Sequence, residues 1–157
     1  MLGFWAGEAS YRAFMAGAHD ALAAGQTGSY SDIAVRLLTR RLDIGRPVNR
    51  ALPDGAAALR LAHCHVHSGR TTHFRAVQAG VWNPGMAATP GMSGGVFAQG
   101  GETEFLVVSL WSSEEAHESY RTERFPELRR RAGAAADLAE ITGDLVAIEP
   151  RWTVTPA

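Results

Sequence analysis

The chain reads as an α+β fold built from ferredoxin-like split βαβ units, the first incomplete (β-α-β) and the second complete (β-α-β-β-α-β). Three observations predict it. Residues 2–22 and 108–128 align without a gap, setting Trp5 on Trp111, Glu8 on Glu114, Phe14 on Tyr120 and Leu22 on Leu128. In each copy the Trp closes an apolar strand and the Glu opens a helix. Each copy then runs into a second β-like stretch, residues 30–44 and 141–154, and from residue 59 onward strand and helix patterns follow one another in the split βαβ order. Residues 1–45 are therefore assigned to a partial unit, 46–58 to a linker and 59–157 to the complete domain.

Taken in order, residues 2–5 are a short strand and 8–24 a helix with Phe14, Ala18, Ala21 and Leu22 on one stripe, ended by Gly25. Residues 30–44 begin with strict alternation, Ile33, Val35 and Leu37 opposing Asp32, Ala34 and Arg36. Pro47, Pro53 and Gly55 mark the linker. Beyond it come a strand at 59–67, a helix at 71–81 and a Gly/Pro-rich loop at 85–91. Strands at 93–99 and 104–111 are joined through Gly100-Gly101, a hairpin signal. Ser112 and Glu115 have capping-box spacing for the next helix, and Pro126 suits the first turn of a restarted segment reaching Arg131. A last strand spans 141–154, interrupted near Pro150 because proline cannot donate to a ladder. The strand at 2–5 lacks the β-α-β that would precede it in such a sheet, so a partner chain, the second domain or an upstream segment is expected to complete it; a homodimer or an intrachain pseudo-dimer follows.

At 157 residues and 46% apolar content the chain can bury a substantial core. Fifteen basic against 16 acidic residues leave a net charge of −1, so no global field draws it to nucleic acid or an anionic membrane. Arg40-Arg41 and the run Arg129, Arg130, Arg131 read as solvated faces. Cys64 is the only cysteine, which excludes an internal disulfide and a Cys-rich zinc site. With no basic n-region or long apolar run at the start, neither a signal peptide nor a membrane helix is expected, and the chain is placed in the cytoplasm. Nucleotide-cradling GxGxxG and GxxxxGK patterns and an HExxH zinc motif do not occur, and no GxSxG nucleophile elbow is expected.

The passage from Phe105 to Tyr120, the turn Pro90-Gly91-Met92-Ser93-Gly94-Gly95 into a strand, and Phe4-Trp5 followed by Tyr11, Phe14-Met15, His19-Asp20 and Tyr30-Ser31 together resemble the dimeric α/β-barrel superfamily. This superfamily includes the antibiotic-biosynthesis monooxygenase domains, and within it the chain looks most like the DUF4937 (YdbC-like) domains. The resemblance implies two ferredoxin-like units packed sheet to sheet, with a ligand pocket between sheet and helices. It implies no single reaction, since similar proteins include cofactor-free oxygenases, isomerases, cyclases and haem-degrading enzymes. The haem-degrading subgroup carries a Trp on the second helix and a His ten residues on; Tyr120 and Arg130 stand there in this chain, which argues against that activity.

The most suggestive local pattern is His63-Cys64-His65-Val66-His67. Alternation along a strand sets the three imidazoles on one face and Cys64 and Val66 on the other, packed on the helices. A pair of alternate residues, His63/His65 or His65/His67, about 6.7 Å apart along the strand, can converge on one metal ion. All three cannot, because the outer two are ~13 Å apart. A further ligand would have to come from elsewhere, and Glu104, Asp144 and His73 have no spacing that singles them out. The histidines are otherwise neutral, hydrogen-bonded residues of a sheet face, or acid/base groups, since imidazole exchanges a proton near neutrality.

His65 is the first choice for such a base, with His63 or His67 as its partner. Gln78 and Trp82, four residues apart, share a helical face and can roof a pocket, with Trp111 and Tyr120 shaping its walls, although each of these aromatics also reads as core. His19 sits late on the first helix, where the helix dipole favours a cation, and can line the first unit's pocket. His73 and His117 read as solvated helix positions. The leading expectation is a cofactor-independent enzyme, monooxygenase-, cyclase- or isomerase-like, acting on a hydrophobic small molecule, with no metal and no cofactor. The alternatives are a non-catalytic ligand-binding or oligomerisation module and a metal-dependent enzyme using the His-x-His-x-His strand.

Overall fold

The computed structural model describes residues 2–25, 28, 31–32, 34–52 and 54–152, with backbone alone at Leu22 and Trp152. The chain divides into two compact units, Met1–Arg36 and Leu37–Ala157.

The leading unit contains two helices, α1 (Glu8–Ala16) and α2 (His19–Ala24). The single helix expected over 8–24 is broken at Gly17, whose N–H bonds back to the Phe14 carbonyl, three residues away, instead of continuing the i−4 pattern. His19 therefore opens a helix instead of closing one, and the dipole argument for a cation there reverses. Residues 2–5 are not a strand: among the described residues no neighbour offers them a ladder. Trp5 instead folds onto α1, its ring 4.9 Å from Phe14 and 5.7 Å from Tyr11. Tyr30 and Ile33, which carry the start of the expected strand at 30–44, lie outside the described residues.

The second unit holds one antiparallel sheet. Its strands are β1 (Thr39–Ile44), β2 (Ala58–Val66), β3 (Met92–Gln99), β4 (Glu104–Trp111), β5 (Leu138–Thr142) and β6 (Leu145–Ala147), in the order β1-β3-β4-β2-β5 with β6 also on β2. The run β3-β4-β2-β5 is the ferredoxin-like arrangement, as the sequence predicts. The departure is β1. The sequence assigns it to the leading unit, but it pairs with β3, Thr39 opposite Gln99 and Ile44 opposite Gly95. Ile44, fully buried, is drawn there by the core of Trp82, Met86 and Trp111. Nor are residues 46–58 a free linker. They carry α3 (Val48–Ala51), whose Val48 and Ala51 pack with Val96, Val108 and Leu110 on the sheet face opposite the long helices. Gly94 permits this approach, because a β-carbon there would run into the Arg46 carbonyl and come within 2.8 Å of the Ala51 Cβ.

Two long helical stretches cover the other face, and both have the same construction. α4 (Thr71–Val77) passes through a π-helical turn at Gln78–Trp82 into α5 (Asn83–Ala87); α6 (Glu114–Ser119) passes through another at Tyr120–Arg124 into α7 (Phe125–Ala132). In each, a proline follows the π turn, Pro84 and Pro126. Proline has no N–H for the preceding turn and its ring crowds the i−4 carbonyl, and the wider π turn absorbs both defects. The first stretch thus runs through what the sequence reads as a helix end and loop. Ser113, not Ser112, caps α6, accepting a bond from the Ala116 N–H at 3.1 Å. The last strand breaks at Gly143 (φ 151°) instead of Pro150, which opens a short 3-10 turn.

Candidate functional site

On β2, Cys64 and Val66 are buried against Phe74, Phe97 and Phe105 beneath the helices. Strand alternation therefore turns His63 and His65 to the opposite face, beside Leu61 and Leu106. Burial pushes the Cys64 thiol up to about 11, with Arg60 opposing, so it carries no nucleophilic thiolate near neutrality.

Glu104 begins β4 as the direct cross-strand partner of His65, while Leu106 stands opposite His63. The diagonal contact is the polar one: His63 Nε2 and Glu104 Oε1 lie 2.7 Å apart, each side chain about one quarter exposed. With its proton on Nε2, His63 donates to the carboxylate. The His65 ring lies 4.7 Å from that of His63, roughly edge-on. One donor atom from each of His63, His65 and Glu104 falls within 4.8 Å of the other two. On the far side of β2, Glu140 of β5 is the register partner of His65.

The structure separates the remaining sequence candidates from this cluster. His67 lies one residue past β2 and is exposed, its backbone N–H bonded to the Asp137 carbonyl. Trp82, Trp111 and Tyr120 pack in the core with Leu128, the last three no more than 6% exposed. Gln78 is buried and donates to the Asn83 side chain at 2.7 Å; Asn83 in turn donates to the Asp43 carbonyl. Trp111 Nε1 donates to Ser109 Oγ at 2.9 Å. These residues tie the helices to the sheet, so where Trp82, Trp111 and Tyr120 lie the space between sheet and helices is filled by packed side chains. Burial also pushes the Tyr120 phenol up. His19 belongs to the leading unit, half-exposed and paired with Asp20 at 3.0 Å.

Of the two histidines read as solvated, His73 is exposed and His117 is buried. His117 is 7% exposed, edge-on to Trp111 at 5.3 Å, and its Nδ1 has no hydrogen-bond partner among the described residues. His73 Nδ1 lies 2.7 Å from Asp137 Oδ2, a fully buried carboxylate also held by Arg70 through Nε at 2.8 Å. Two surface cavities lie apart from the histidine cluster. One, of about 630 Å³, is lined by Phe125, Pro126 and Gly133 with Arg129 and Arg130. The other, of about 600 Å³, lies between the sheet and the first helical stretch, with Leu42 and Phe97 facing Ala76 and Ala79 and with Arg40, Arg41 and Arg75 around it. The stretch Gly91-Met92-Ser93-Gly94-Gly95 spells the nucleophile-elbow pattern G-x-S-x-G, which corrects the expectation that the pattern is absent. It enters a strand instead of turning from strand into helix, so Ser93 is not presented as a nucleophile. Glu104 is the site residue that sequence spacing did not reveal.

An antiparallel ferredoxin-like sheet with its two long helical stretches on one face defines the class, and solved structures agree. A proposed monooxygenase from Lactobacillus acidophilus superposes with a TM-score of 0.66 at 13% identity over 92% of this chain and 66% of that one. A ferredoxin-fold protein from Listeria monocytogenes related to antibiotic biosynthesis monooxygenases gives 0.53 at 15% identity, over 84% of this chain and 88% of that one. A heme-degrading enzyme from the same organism gives 0.52 at 15%, over 82% and 90%. The fold is that of the antibiotic-biosynthesis-monooxygenase-like proteins, and the chain spans just under two thirds of the Lactobacillus protein. Known families and curated proteins give no match. No helix among the described residues is long and apolar enough to cross a membrane.

Proposed function

We propose that the chain is a cofactor-independent small-molecule enzyme of the antibiotic-biosynthesis-monooxygenase-like kind, nearest in sequence motifs to the DUF4937 domains. It acts on a hydrophobic substrate at the sheet face that carries His63 and His65. The observation that carries this reading is the 2.7 Å bond between His63 and Glu104. A carboxylate on one ring nitrogen fixes the tautomer and steadies the imidazolium formed when the other nitrogen takes a proton. The role of base therefore moves from His65, the first choice from sequence, to His63, with His65 alongside to orient the substrate. Leu61 and Leu106, half-buried on the same face, offer an apolar seat for the substrate's body. Loss of an acidic C–H or O–H proton to His63 leaves a substrate anion, the species that isomerises, cyclises or passes electrons to dioxygen.

A second copy covering this face would exclude water from the anion, and a homodimer is part of the proposal. The test is turnover of hydrophobic phenols and quinones by the full chain. Activity abolished in His63→Ala and retained in His67→Ala, with both variants folded, supports the reading; binding without turnover overturns it in favour of a ligand-binding module.

A further inference from the structure

We propose that His63, His65 and Glu104 form a binding site for a divalent transition-metal ion. From the His-x-His-x-His strand alone, two imidazoles can converge but a third ligand is wanting, and β4 supplies it. Glu104 is set against His65 by the β2–β4 register, and His63 Nε2 already lies 2.7 Å from its carboxylate. Donor atoms of a tetrahedral ion bound at ~2.0–2.1 Å are about 3.3 Å apart. The three side chains offer one donor atom each, all within 4.8 Å of one another, so side-chain rotations close the gap without moving the strands.

The chemistry of the set is selective. Two imidazoles and one carboxylate suit zinc and the ions near it in the transition series, whereas magnesium and calcium demand oxygen donors. Three protein ligands leave one position for water or substrate, and the one-quarter exposure of His63 and Glu104 gives an ion entry from solvent. Both strands are central in the sheet, β2 between β4 and β5 and β4 between β3 and β2, so the ligands stand on a rigid frame.

The inference uses the cluster of the proton-transfer reading and rests on that reading for one consequence only. An ion coordinated by His63 and Glu104 replaces the proton they share, so bound metal and acid–base turnover exclude each other. The experiment is calorimetric titration of the full chain, freed of metal by chelation, with Zn²⁺ alone and separately with Mg²⁺. The expected result is one Zn²⁺ per chain and no Mg²⁺ binding, with Zn²⁺ affinity lowered by more than about tenfold in Glu104→Gln and in His65→Gln and unchanged in His67→Ala. Circular dichroism on each variant separates ligand loss from unfolding, and the two variants lie on different strands. Absence of stoichiometric Zn²⁺ binding, or binding that survives both substitutions, overturns the proposal. Because the titration contains no substrate, its failure leaves the acid–base reading standing, and an inactive protein that binds Zn²⁺ leaves the metal site standing.

Discussion

His63 reaches diagonally across two antiparallel strands to set Nε2 2.7 Å from Glu104 Oε1, a bond between residues 41 apart in the chain. Glu104→Gln keeps the shape of that side chain and removes its charge. On the proposed chemistry kcat falls about tenfold or more in Glu104→Gln and about a hundredfold or more in His63→Ala, the range general acid–base groups contribute. Steady-state kinetics on a phenol that the native chain turns over reads both, and equal activity in native chain and Glu104→Gln removes the carboxylate from the mechanism.

What the sequence could show follows the range of each signal. Alternation is local, so the face shared by His63 and His65, opposite Cys64 and Val66, was legible. The identity of their partner depends on how β2 and β4 slide against each other, and a one-residue slip would bring a different side chain to the site. The same limit hid the sheet that receives β1, since a strand's pattern states which face is apolar but not which neighbour it joins. Helix periodicity misassigned His117, which is buried, and placed His73 correctly on an exposed face. His117 is buried by its contacts with Trp111 of the sheet and Tyr120, and the partner of the exposed His73, Asp137, lies 64 residues on. The repeat was legible in packing more than in strands: Trp5 on Phe14 at 4.9 Å matches Trp111 on Tyr120 at 5.0 Å.

The buried His117 sets a pH response. Desolvation, with the Arg60 charge second, lowers its pKa below the ordinary 6.5. The unfolded chain takes up this proton near 6.5 and the folded chain only at lower pH, so below 6.5 the unfolded state binds more protons. Stability from this group is present above 6.5 and is lost as pH falls toward the folded value. His117→Phe, which keeps an aromatic ring and deletes an Nδ1 that has no partner among the described residues, is expected to flatten that acid decline. Urea unfolding at pH 7.5 and at pH 5.5 measures it, and the same decline in both proteins would assign the response to other groups.

Cys64 reports on which face of β2 is buried. Its thiol is pushed up to about 11 and is 3% exposed, so alkylation of the native protein at neutral pH should follow global opening and become fast only in denaturant. Rapid labelling of the folded chain would mean that β2 is turned over, with its histidines under the helices.

Asp137 presents the sharpest stability test. Its carboxylate is fully buried in the turn that leads into β5, and it is held from two sides: Arg70 through Nε and Nη2 at 2.8 and 2.7 Å, and His73 through Nδ1 at 2.7 Å. Its own carbonyl accepts from the His67 N–H, so one residue anchors the end of β2, the start of α4 and the entry to β5. Removing Arg70 leaves a desolvated charge with a single remaining partner, and such a loss costs about 3 kcal/mol, more than an exposed ion pair would. His73→Ala, which removes one hydrogen bond and leaves the guanidinium in place, should cost about 1–2 kcal/mol. If the three groups act as one clamp, the cost of Arg70→Ala combined with His73→Ala will not be the sum of the two, because the second substitution acts on a carboxylate already freed. Urea titration of the two single variants and the double variant decides this. Additive losses below about 1 kcal/mol each would mean that water reaches Asp137 and that the clamp contributes little.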